Sequence, residues 1–207
     1  MSTRKLRQKE GAVYFGTFTC HQWIPLFHEL NAYDLFYNWM HLATAQGYHF
    51  LGFAIMPNHA HFILRVPEGG AINTLLSNSK RFMAYEIVQR LTAVGRRDLL
   101  DRSKEGLRPS DIARGQKHRV FATSTDLVEL FSGKMIEQKL QYIHANPVSK
   151  KWHLASDAVE YPHSSFAFYV RGENRTAPLT AYKCSGSWME KEHLGERISY
   201  WTLCSLL

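Results

Sequence analysis

Apolar and polar positions along this chain follow two different periods in turn. Val13 to Thr19 alternates and predicts a first strand, and Leu30 to Gln46 carries aromatic anchors at helical spacing and is closed by Gly47. Tyr48 to Met56 and His59 to Val66 are apolar, branched and aromatic runs on either side of Pro57-Asn58, which predicts two antiparallel strands joined by a tight connection. Ala71 to Leu91 predicts a second long helix and Lys117 to Thr123 a fourth strand. Asp126 to Phe131 and Lys134 to Asn146 read as helical, the latter with Met135, Ile136, Leu140 and Ile143 on one stripe and Pro147 as its stop. Strand, helix, strand, strand, helix, strand is the split βαβ order. It predicts an α+β domain with a ferredoxin-like antiparallel sheet, helices on one face, and the helix from Lys134 over the other.

The chemistry sits inside this pattern. Alternate side chains of a strand share a face, so His59 and His61 present two imidazoles side by side while Ala60, Phe62 and Leu64 turn to the core. That is half a site for a divalent metal, although such a pair on its own is more often hydrogen-bonded structure than ligand. Asn58 reads as a turn residue. Four residues separate Tyr142 from Asn146, which puts a phenol and an amide oxygen on one helical face. Alone, they read as a packed aromatic and a helix cap.

Together these segments resemble a known family. Met56-Pro57-Asn58-His59-Ala60-His61, followed by Phe62-Ile63-Leu64, is similar to the histidine-hydrophobe-histidine motif of the single-tyrosine transposases of insertion sequences. Tyr142-Ile143-His144-Ala145-Asn146-Pro147-Val148 is similar to the tyrosine motif of their REP-associated branch. Tyr161-Pro162-His163-Ser164-Ser165 adds a third family-like piece, and the three occur in the family's order between Val13 and Tyr169. The resemblance implies a single-stranded DNA endonuclease and strand transferase. In that reading Tyr142 is the nucleophile, forming a 5′-phosphotyrosine, and His59, His61 and Asn146 hold Mg²⁺ or Mn²⁺. Better-known insertion-sequence enzymes carry glutamine where this chain has Asn146. His144 is the rival ligand, although its position on the helix favours packing or DNA contact. Insertion-sequence relatives donate the tyrosine in trans within a dimer and the REP-associated branch acts in cis; the sequence leaves monomer and homodimer both open.

A formal net charge of +7 and a pI near 9.4 suit a polyanionic partner, here single-stranded or hairpin DNA. Arg4, Lys5, Arg7 and Lys9 form a basic arm. A second basic stretch, within about 92–120, includes Arg96, Arg97, Lys117 and Arg119, and reads either as a phosphate-tracking rim or as a solvated loop neutralised by its own acids. Trp23, Trp39, Phe50 and Phe53 are assigned to packing. Arg81, Tyr85 and Trp152 are further candidates for DNA contact.

The chain reads as one nuclease domain over 1–170 and a polar C-terminal extension over 171–207 without an assigned role. No apolar run reaches the roughly 20 residues that span a bilayer. Cys20, Cys184 and Cys204 lack Cys-x-x-Cys pairing, so a cytoplasmic protein without membrane partners is expected. Two other function classes fit the same residues: a metal hydrolase that activates water, and a DNA- or RNA-binding module that has lost catalysis.

Overall fold

A computed structural model describes residues 11–182 except Ser124, Arg175 and Thr176. The basic arm with Arg4, Lys5, Arg7 and Lys9, and the C-terminal stretch with Cys184 and Cys204, lie outside the described residues. The elements run β1 (Val13–Thr19), a 3-10 turn (His21–Trp23), α1 (Leu26–Glu29), α2 (Tyr33–Ala45), β2 (His49–Ile55), β3 (His59–Arg65), α3 (Ile72–Ala93), α4 (Arg97–Lys104), α5 (Pro109–Ala113), β4 (Asp126–Leu130), α6 (Gly133–Ala145) and α7 (Phe166–Arg171). The sheet order is β2-β3-β1-β4 and every pairing is antiparallel. This is the α+β split arrangement that the hydropathy pattern predicts.

One prediction is corrected. Asp126 to Leu130 is a strand on the free edge of β1, not a helix. Lys117 to Thr123 contributes only a single bridge, Phe121 to Cys20. Exposure alternates along β4 up to the buried Leu130, and Ser132 follows at once as the cap of α6, its hydroxyl accepting from Met135 N. Too few residues precede that cap for a stable helix, whereas the edge of β1 offers unpaired backbone groups.

Alternation along the strands divides the interior into two layers. Tyr14 and Phe18 of β1 and Ala60, Phe62 and Leu64 of β3 join Phe36, Trp39 and Met40 of α2 and Leu76, Met83 and Ile87 of α3. On the opposite face Phe15, Leu51, Ala54 and Ile63 meet Ile136, Leu140 and Ile143 of α6. Gly52 permits this second contact, because a Cβ built there falls 2.4 Å from Leu140 Cδ2. Helices therefore cover both faces, with the tyrosine helix over the histidine face.

The chain after α6 seals the outer edge of β2. Ile55 N donates to His163 O at 2.8 Å, Ser165 N to Phe53 O at 3.0 Å and Thr180 N to Phe50 O at 2.9 Å. Tyr161 and Tyr169 hydroxyls donate to Ile55 O and Leu51 O. The Tyr161-to-Ser165 segment is thus a covering for a sheet edge. The described part of the C-terminal extension joins it: Tyr182 is buried against the α6 layer, and its hydroxyl donates to Glu137. No described helix is long and apolar enough to cross a membrane.

Candidate active site

His59 and His61 stand on the α6 face of β3, with ring centroids 4.7 Å apart and planes at 79°. Strand register supplies the support for one of them: Thr17 lies opposite His61 on β1 and places Oγ1 2.9 Å from His61 Nδ1. Asn58 supports the other, with Oδ1 2.7 Å from His59 Nδ1 while Nδ2 donates to Trp23 O at 3.0 Å. The Trp23 carbonyl can only accept, which fixes the amide orientation. His59 Nδ1 therefore carries the proton, and its Nε2 presents a lone pair. His61 Nε2 is buried and has no hydrogen-bond partner among the described residues.

Burial pushes His59 down to about 4, with help from the Lys151 charge, and His61 down to about 3, with help from His59 and Lys139. Both imidazoles are neutral at physiological pH, the form that binds a cation. Among the described residues no three or more His, Cys, Asp and Glu side chains form a metal-binding group. The orphaned Nε2 of a neutral His61, whose Nδ1 lies 2.9 Å from Thr17 Oγ1, fits a metal ligand.

Helix α6 brings Tyr142 and Lys139 to the pair. Tyr142 is 49% exposed, and its ring centroid lies 5.2 Å from that of His61 and 6.0 Å from that of Phe15, which itself stacks on His61 at 5.5 Å. Lys139, one turn earlier, holds Nζ 4.5 Å from the Phe15 centroid and 5.5 Å from the Tyr142 centroid. Asn146 caps the helix and its Nδ2 donates to Tyr142 O at 3.1 Å, so Oδ1 is the end of the amide left to accept or ligate. All these groups come from one chain.

His144 points elsewhere. It is buried, its Nε2 lies 2.8 Å from Ser165 Oγ, and its ring packs on Phe166 and Tyr169. Of the sequence alternatives, packing is the one observed; a buried imidazole has no face for DNA. The basic stretch divides similarly. Arg96 pairs with Glu29 at 2.6 Å and Asp98 at 2.9 Å, and Arg119 joins Arg108 and Arg114 around the buried Asp111. Arg97 and Lys117 are exposed, as are Arg81 and Tyr85 on α3.

Trp23 is a correction. Sequence context assigns it to packing, but it is 56% exposed and its ring lies 5.6 Å from that of His59. Thr17, Lys139 and Lys151 complete the surroundings and carry no motif. Only the β1–β3 register could have pointed to Thr17.

No family profile matches the chain, and no curated protein matches its sequence. Among solved structures it is similar to a REP-associated tyrosine transposase bound to a REP hairpin, with 17% identity, 85% of this chain and 90% of that one covered, and a TM-score of 0.46. It is also similar to a candidate transposase from Deinococcus radiodurans, with 16% identity, 68% and 95% covered, and a TM-score of 0.39.

Proposed function

We propose that this protein is a transposase: a divalent-metal-dependent endonuclease and strand transferase for single-stranded or hairpin DNA, acting beside DNA in the cytoplasm. The observation that supports the reading is the Tyr142 ring 5.2 Å from the ring of His61, whose buried Nε2 has no hydrogen-bond partner among the described residues. Tyr142 Oη attacks the scissile phosphorus as its proton passes to solvent, the bond from phosphorus to the 3′-oxygen breaks, and the departing 3′-oxygen takes a proton from solvent, leaving a 5′-phosphotyrosine and a free 3′-hydroxyl. Attack by a 3′-hydroxyl on the phosphotyrosine reverses the step and joins strands without an external energy source.

Mg²⁺ or Mn²⁺, held by Nε2 of His59 and His61 and by Oδ1 of Asn146, would supply Lewis-acid polarisation of the phosphate. Asn58 and Thr17 keep the two imidazoles turned for that purpose. The Lys139 ammonium offsets negative charge as the strand approaches the phenol. Half-exposure of Tyr142 leaves a DNA strand a route to it, and the one-chain arrangement supports attack in cis.

Labelled single-stranded hairpin DNA incubated with Mg²⁺ or Mn²⁺ should give a slow-migrating covalent species on denaturing electrophoresis. That species is expected to disappear with EDTA and in Tyr142→Phe; strand cleavage that survives Tyr142→Phe would sink the proposal. His59→Ala or His61→Ala should abolish cleavage while DNA affinity persists.

A further inference from the structure

The side of His59 away from Tyr142 is ringed by groups that the cleavage step does not use. The Trp23 ring centroid lies 5.6 Å and the Trp152 centroid 5.3 Å from that of His59. Lys151 holds its Nζ 5.5 Å from the first indole and 5.3 Å from the second. Two indoles, an ammonium and one imidazole of the histidine pair therefore form a continuous rim. Trp23 is largely in water, Trp152 is half-buried and Lys151 is exposed.

The backbone beneath the two rings is held in an uncommon conformation. Gln22 and Trp23 have φ of 52° and 56°, and His153, next to Trp152, has φ of 45°. Of the non-glycine residues with positive φ among those described, only Asn31 lies elsewhere. Such conformations persist where surrounding contacts enforce them, and here those contacts are visible. Gln22 Nε2 donates to Glu105, His21 Nε2 lies 2.8 Å from Glu105 O, and the Trp23 carbonyl accepts from Asn58. Backbone strain and a large exposed indole are both unfavourable for a free surface. Their coincidence at the edge of the histidine pair selects for a ligand with flat, apolar faces and a negative charge.

Resting on the reading of the site as one that cuts single-stranded DNA, we propose that Trp23 and Trp152 form the stacking platform for an unpaired base beside the scissile phosphate, with Lys151 on the adjoining phosphate. A nucleotide whose phosphate sits at the histidines has its base within reach of these rings. Stacking of this kind tolerates any base, because each has a π-face. The Lys151 ammonium favours an anionic partner over a cationic one. The platform also links substrate to the site directly, since Asn58 holds the Trp23 carbonyl with one end of its amide and His59 with the other.

The test reads binding only, with full-length protein in EDTA. Two labelled probes are compared by fluorescence anisotropy: oligothymidylate of about twenty nucleotides and an abasic strand with the same number of phosphates. Trp23→Ala and Trp152→Ala should each weaken oligothymidylate binding about 5- to 50-fold and leave the abasic strand unchanged. Lys151→Ala should weaken both probes alike, and Trp23→Phe, which keeps a flat ring, should retain most of the preference. An unchanged ratio between the probes in the alanine variants, or an equal loss for both, would overturn the platform. Because no cleavage is read, that failure is distinct from a failure of the Tyr142 adduct.

Discussion

Asn58 is the residue on which the histidine pair turns. Its amide oxygen fixes the His59 tautomer and its amide nitrogen is anchored on the Trp23 carbonyl. Asn58→Ala frees His59 to rotate or to move its proton to Nε2, and Thr17→Val frees the His61 ring to rotate. Each change should lower Mn²⁺ affinity about 10- to 100-fold with the fold retained, measured by calorimetric titration. That His59 and His61 share a face of β3 is legible from their spacing within one strand, whereas grouping them with Tyr142 and Asn146 rests on the family resemblance. Thr17 was not legible, because its place opposite His61 comes from pairing between strands that a whole helix separates in sequence. Apolar neighbours of Trp23 favour burial, but its backbone has a positive φ and its ring stands exposed.

At the scale of elements, the distance between phenol and imidazoles is set by how closely α6 lies on the sheet. Gly52 sets that closeness. Gly52→Ala brings a Cβ to 2.4 Å from Leu140 Cδ2, and Leu140 is fully buried with nowhere to withdraw. The helix must lift or the core must strain, at a cost of about 1–3 kcal/mol. A lower melting temperature, together with a loss of adduct formation larger than the loss of DNA binding, is the expected outcome. Most elements were legible because each is long enough to show one period. β4 was not: Leu127, Leu130 and Phe131 satisfy a helical stripe and a strand equally well over so short a run. What decides between them is the vacant edge of β1, and no local pattern carries that.

Across the whole molecule, buried neutral imidazoles tie stability to acidity. His144 is pushed down to about 3 and His163, stacked 3.6 Å from the Tyr33 ring, to about 4, both by burial. Below about pH 6.5 the unfolded chain takes up protons that the folded chain refuses, so stability falls as pH drops toward those values. For His144 the slope approaches about 1.4 kcal/mol per pH unit. Thermal melts in EDTA should decline steadily from pH 7 to pH 5, and His144→Gln should flatten that decline even if it lowers the plateau. The two edges of the sheet also differ. β2 is sealed by the chain that follows α6, whereas β4 is paired, among the described residues, with β1 alone. β3 lies between two strands, so its amides should exchange with deuterium slowly, while β4 and the first turn of α6 exchange quickly. The histidines would then belong to the last part of the protein to open, and the tyrosine to a helix whose leading end breathes on its own, ahead of global unfolding.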